Sequence, residues 1–139
     1  MSRNTLLALL ILFAFGGTAL ADWPMAGANP QRTSWVSEDL PGNLDVEWVK
    51  PIESYISQRV QLVGAESKIF ISAADGLYAI NAADGSEAWV YPTELPLGHS
   101  PTYDNGTLYV GGLDCKIHAV DASDGSGIWT SQFAGAGFW

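Results

Sequence analysis

Ala79-Ile-Asn-Ala-Ala-Asp-Gly-Ser-Glu-Ala-Trp89 and Ala119-Val-Asp-Ala-Ser-Asp-Gly-Ser-Gly-Ile-Trp129 align without a gap. The two phrases lie 40 residues apart, and Trp48 stands 41 residues before Trp89. In a chain of short apolar runs, a period near 40 is the length of one four-stranded unit. Such a unit cannot bury its apolar faces alone, so the repeat bears on assembly as well as on fold.

Working outward from the phrases, each is embedded in a series of short strands. In the first unit Arg59 to Val63 reads as a strand, Gly64-Ala-Glu-Ser67 as a turn and Lys68 to Ser72 as a second strand. The Asp75-Gly76 turn, Leu77 to Asn81, the Asp84-Gly85 turn and a strand through Trp89 follow. In the second unit Pro101 to Tyr103 leads to the Asp104-Asn-Gly106 turn. Thr107 to Gly111, the Asp114-Cys-Lys116 turn, Ile117 to Asp121, the Asp124-Gly125 turn and a strand through Trp129 complete it. Asn-Gly and Asp-Gly between apolar runs favour tight hairpins because these residues tolerate positive φ. Strands so connected are antiparallel, since parallel neighbours need crossover helices and no helical period occurs after the first 21 residues. The fold class is all-β, built from antiparallel four-stranded β-propeller blades, with about two blades present.

Before the first unit, Leu44, Val46 and Trp48 alternate with Asp45 and Glu47, the pattern of a half-buried strand. Trp48-Val-Lys-Pro51 echoes Trp89-Val-Tyr-Pro92, and proline ends a ladder in both because it has no N–H to donate. Residues 22–43 have no sustained period and read as an ordered, irregular lead-in. Residues 1–21 combine a short n-region with Arg3, an apolar run from Leu6 to Phe15 and a small-x-small Ala19-Leu-Ala21, which is the anatomy of a secretory signal peptide. The apolar run is too short for the roughly 18–20 residues of a membrane span. Cleavage before Asp22 predicts an exported product, periplasmic or extracellular, with no membrane anchor. It would not be a lipoprotein, because the first mature residue is Asp22 rather than cysteine. The lone Cys115 cannot form an internal disulfide and aligns with a turn position.

Removing Arg3 leaves five Lys/Arg against fifteen Asp/Glu, a net of −10. Many of the acids stand in Asp-Gly turns, and the balance argues against nucleic-acid or anionic-membrane partners.

The repeated phrase, Ala-x-Asp/Asn-x-x-x-Gly-x-x-x-Trp, resembles the tryptophan-docking motif of the pyrroloquinoline-quinone-like (PQQ-like, quinoprotein-like) β-propeller family. Asp84 and Asp124 stand where that family often has Thr or Ser. The lead-in Asp22-Trp-Pro-Met-Ala-Gly-Ala-Asn-Pro-Gln-Arg-Thr33 is also similar to the segment before the first blade of exported members. The resemblance implies structural roles for Ala79, Asn81, Gly85, Trp89, Ala119, Asp121, Gly125 and Trp129. The indoles would cover the seam between sheets, Ala79 and Ala119 would allow close packing, and Asn81 and Asp121 would bond to the following turn. It further implies a propeller of seven or eight blades, of which residues 44–139 would be an N-terminal portion that needs its remaining blades, or self-association, to close.

No catalytic set is recognisable. True quinoprotein dehydrogenases of the family carry a vicinal cysteine pair, a calcium set and a catalytic Asp, none of which can be matched here. PQQ with calcium is therefore expected only if a longer protein is a dehydrogenase, and no metal site is assigned. His118 occupies the slot of Tyr78 and reads as a half-buried strand residue. His99 and Gln58 fall in loops before the innermost strands, with Arg59 at the start of the first of these strands, and in this family those loops approach a mouth of the central channel. These three are the expected ligand contacts, their partner protein, small molecule or polymer being left open. The leading expectation is a non-enzymatic binding or scaffold module. The alternatives are the N-terminal fragment of a PQQ-dependent alcohol or sugar dehydrogenase, and a carbohydrate-binding propeller using Tyr55, Tyr91 and Tyr103.

Overall fold

The computed structural model describes residues 22–37, 42 and 44–131. The expected leader at 1–21 lies outside these residues. Among the described residues, eight strands form two sheets. The first holds β1 (Val63–Ala65), β2 (Lys68–Ser72), β3 (Gly76–Asn81) and β4 (Glu87–Pro92). The second holds β5 (Thr102–Asp104), β6 (Thr107–Gly111), β7 (Ile117–Asp121) and β8 (Gly127–Thr130). Each sheet is an antiparallel meander in chain order, and no helix occurs among the described residues. This is the all-β, two-blade architecture expected from the repeat.

Turn chemistry accounts for the meander. Asn105 and Gly106 have φ of 46° and 83°, the left-handed pair that a two-residue hairpin between twisted strands requires. Glu66 and Ser67 make the same turn in the first sheet with φ of 52° and 58°, although neither residue favours that region. Both sheets shift register at the same place, between Ala79 and Ile80 and between Ala119 and Val120. The core lies between the sheets and is built from Val63, Phe70 and Leu77 of the first against Leu108, Val110 and Val120 of the second, with Leu97 between.

Two elements differ from expectation by more than a residue, and β5 runs one residue later than the expected Pro101 to Tyr103. The first inner strand is Val63–Ala65 rather than Arg59 to Val63, because pairing Val63 with Phe70 and Ala65 with Lys68 buries both small apolar side chains. Leu62, inside the expected strand, is half exposed. Residues 44–50 form no strand within the described residues, and Leu44 and Val46 are 71% and 81% exposed. Their alternation has no sheet neighbour there to exchange backbone hydrogen bonds, and without one the period alone does not bury a face.

The lead-in is stitched to both inner strands. The Trp23 and Gly64 backbones exchange hydrogen bonds at 2.7 and 2.9 Å, and the Tyr103 N–H donates to the Pro24 carbonyl at 2.7 Å. Trp23-Pro24 thus satisfies edge groups of β1 and β5 that would otherwise be unpaired.

Candidate functional site

The repeated phrase forms a joint. The Trp48 indole N–H donates to the Ala82 carbonyl at 2.9 Å, and the Trp89 indole N–H donates to the Ala122 carbonyl at 3.2 Å. Each ring lies on the glycine of that same turn. A Cβ placed on Gly85 would come within 2.5 Å of the Trp48 ring, and one on Gly125 within 2.6 Å of the Trp89 ring. These glycines also have φ of 70° and 77°, so conformation and close approach both select glycine. Each tryptophan therefore docks on the Asp-Gly turn of the unit that follows it. Ala79 and Ala119 are fully buried opposite Trp89 and Trp129. Asp121 accepts from the Ser123 N–H at 2.8 Å, and the Asn81 amide donates to the Ser86 hydroxyl at 2.8 Å. The hydrogen bonds from Ser123 hold the Asp121 carboxyl below the usual carboxylate range, and Ser86 does the same for Asp84. Trp129, whose ring lies against Tyr109 at 6.0 Å, is 48% exposed.

The side chains free for other work gather elsewhere. A cleft of about 460 Å³ opens between the lead-in and the segments preceding β1 and β5. Arg32, Arg59, Gln61, His99, Ser100 and Thr102 supply its polar lining. Arg59 and His99 also line an adjoining recess with Tyr55, Ser57 and Leu97. The fold thus brings two of the three expected contacts together. Gln58 is exposed on the turn closed by the Val60 N–H to Ser57 carbonyl bond and does not line the cleft. Gln61 lines it instead, accepting from the Gly27 N–H at 3.1 Å while its own N–H donates to the Ser100 hydroxyl at 2.8 Å. The His99 ring rests over Gly111 of β6, where a Cβ would lie 3.2 Å from it.

A second polar group was not foreseen. His118 is buried, 6% exposed, with one ring nitrogen 3.1 Å from the Tyr91 hydroxyl and the other 3.1 Å from Asp114. Burial, and then the Asp114 charge, push the Tyr91 phenol up. This chain of contacts runs across the seam, from β4 of one sheet to β7 of the other. Its members are satisfied by one another, which is what a buried polar group requires. Tyr103 likewise donates to Glu66 at 2.8 Å, so of the three tyrosines considered for glycan contact only Tyr55, at 72% exposed, is largely open.

Comparison with known proteins places this geometry. Residues 30–137 match the family described as outer membrane protein assembly factor BamB. The chain is 28% identical over 61 residues to tetrathionate hydrolase of Acidithiobacillus ferrooxidans, a match covering 44% of this chain and 12% of that protein. The solved quinohemoprotein alcohol dehydrogenase from Comamonas testosteroni superposes with a TM-score of 0.71 at 22% identity, over 80% of this chain and 19% of that one. BamB from Moraxella catarrhalis superposes with a TM-score of 0.55 at 24% identity, over 62% and 26% respectively. The chain spans about a quarter or less of the length of each of these proteins. At such identities the structural likeness is one of fold.

Proposed function

Because this chain belongs to the PQQ-like β-propeller family of outer membrane protein assembly factor BamB, we propose that it is an exported, non-enzymatic binding module. Its ligand-contact surface is the cleft around Arg59 and His99. One observation carries this reading: the repeated residues are spent on the seam, whereas the cleft side chains converge from separate segments. Loops gathered around a rigid scaffold are where propellers and similar folds place recognition. Export rests on the leader-like anatomy of residues 1–21. The exposed Trp129 makes the β8 face a joint for a further repeat unit, in the same chain or in another copy.

The quinone alternative would need a calcium-binding set beside the cofactor. Among the described residues, no three His, Cys, Asp or Glu side chains gather closely enough to hold a metal ion. The described residues thus supply no carboxylate cluster for the calcium that accompanies the quinone in the family's dehydrogenases. Purified chain supplied with PQQ and Ca²⁺ should give no dye-linked alcohol oxidation above a protein-free control. Saturable turnover that titrates with added quinone would overturn the binding-module reading in favour of a dehydrogenase.

A further inference from the structure

We propose that Arg32, Arg59 and His99 form a site for a small oxyanion ligand, one bearing two or more carboxylate or phosphate groups. The proposal rests on the binding-module reading and supplies the chemistry of its ligand. The cation distribution is the first argument. The full sequence carries a net charge of −9, yet both of its arginines beyond Arg3 line one cleft, and among the described residues no Asp or Glu lines it with them. The lysines behave differently: Lys50, Lys68 and Lys116 lie 3.7–3.9 Å from Glu87, Glu66 and Asp114. Neither arginine has an ion-pair or side-chain hydrogen-bond partner among the described residues. A guanidinium presents five donors in a fixed fork that matches carboxylate and phosphate oxygens.

The second argument is how Arg32 reaches the cleft. It has φ of 53°, and Ser34, two residues on, has φ of 52°. Two non-glycine residues in the left-handed region within three positions persist only where the surroundings over-determine them. Here the Arg32 N–H donates to the Asn29 carbonyl at 2.8 Å and the Ser34 N–H to the Gly27 carbonyl at 3.1 Å. The Asn29 amide and Thr33 hydroxyl are joined at 2.6 Å. Gly27, with φ of 80°, is bare where a Cβ would stand 2.9 Å from Arg32 Cα. The loop is then tied to the first sheet's entry segment by the Gly27–Gln61 bond and, through Gln61, to Ser100. A strained, hydrogen-bonded loop places a cation on the lining of a cleft that also has another cation and a histidine on it. Like charges so placed repel one another unless an anion lies between them. The cleft volume of about 460 Å³ is that of a small-molecule site rather than a macromolecular groove.

Isothermal titration of the full chain with citrate and with pyrophosphate tests this, using acetate and the neutral triamide of citrate as controls. At least one polyanion should bind saturably with 1:1 stoichiometry, and whichever binds tighter assigns carboxylate or phosphate. Acetate should bind at least tenfold more weakly and the triamide not at all. Arg32→Ala and Arg59→Ala should each weaken binding at least tenfold, and Arg32→Lys, which keeps the charge and loses the fork, by less. Both arginines are exposed, so circular dichroism should show the variants folded. Lys50→Ala, a cation outside the cleft, should leave affinity within twofold. Absence of saturable binding up to 10 mM of either polyanion would overturn the proposal. So would a loss below tenfold in the Arg32→Ala/Arg59→Ala double variant, or an equal loss in Lys50→Ala. Each of these failures leaves the non-enzymatic reading standing, since the oxidation assay judges that separately.

Discussion

Replacing Trp89 with alanine removes the joint between the two sheets, and the structure allows its cost to be worked out. The indole N–H loses its bond to the Ala122 carbonyl, on a residue that is fully buried; such a bond contributes about 1 kcal/mol. The Phe70–Trp89 pair, with ring centroids 5.7 Å apart, contributes about as much again. The remainder is apolar surface uncovered over Gly125. Truncating a fully buried aromatic costs about 3–5 kcal/mol. Trp89 is only partly buried, which places the expected loss near the lower end, about 3 kcal/mol. For a domain of this size that is a fall in Tm of roughly 15 °C. Urea unfolding followed by circular dichroism measures it, and a cycle with Gly125→Ala isolates the contact. Gly125→Ala alone pays for left-handed backbone, about 1–2 kcal/mol, and for collision with the ring. In the Trp89→Ala background only the backbone part should remain, leaving a coupling of about 1–2 kcal/mol. A loss below about 1 kcal/mol for Trp89→Ala, or an additive cycle, would refute the docking argument.

Other predictions follow from single contacts. Ser67→Gly relieves a left-handed residue in the first hairpin and should stabilise the chain by about 1 kcal/mol in the same urea assay; Asn105-Gly106 already has that chemistry. Tyr91→Phe leaves the His118 ring without one of its partners and should cost about 1 kcal/mol or more. Because the Tyr91 pKa is raised on folding, its contribution is present below the unfolded value of 10.0 and lost as pH rises through the folded one; Tyr91→Phe should therefore flatten the alkaline fall in stability. Asp84 and Asp121 have lowered values, so their contribution is whole above the unfolded value of 3.8 and lost as pH falls through the folded ones. Asp84→Asn with Asp121→Asn should shallow the acid limb of a Tm-against-pH curve, and an unchanged limb would contradict the serine-bonded turns.

The strands with the clearest local signals were legible in the sequence. β2, β6 and the far end of β7 each combine a short apolar run with a flanking Asp-Gly or Asn-Gly turn, and their bounds are those the sequence predicts. β1 was displaced because Arg59 to Val63 looks as strand-like as Val63–Ala65. The decision comes from non-local partners, Phe70 across the hairpin and Trp23 across the edge. Leu44 to Trp48 shows the reverse case, an unambiguous period with no partner in the described residues to make it a strand. At the site, His99 could be found from its place in a loop before an inner strand, and Arg59 from the equivalent position in the preceding unit. Arg32 could not, because the lead-in has no period and only its hydrogen bonds bring it to the cleft. The same holds for His118: alignment with Tyr78 placed it on a strand, but its burial depends on Tyr91 reaching across the seam.

The molecule divides into a seam that holds the sheets together and a cleft proposed to take the ligand. An amide and indole NMR titration of the full chain with citrate and with pyrophosphate tests that division most directly. Resonances of Arg32, Arg59, Ser100 and Thr102 should shift saturably together, while the Trp48 and Trp89 indole N–H signals stay in place. Shifts centred on the indoles, or none at the arginines, would contradict it.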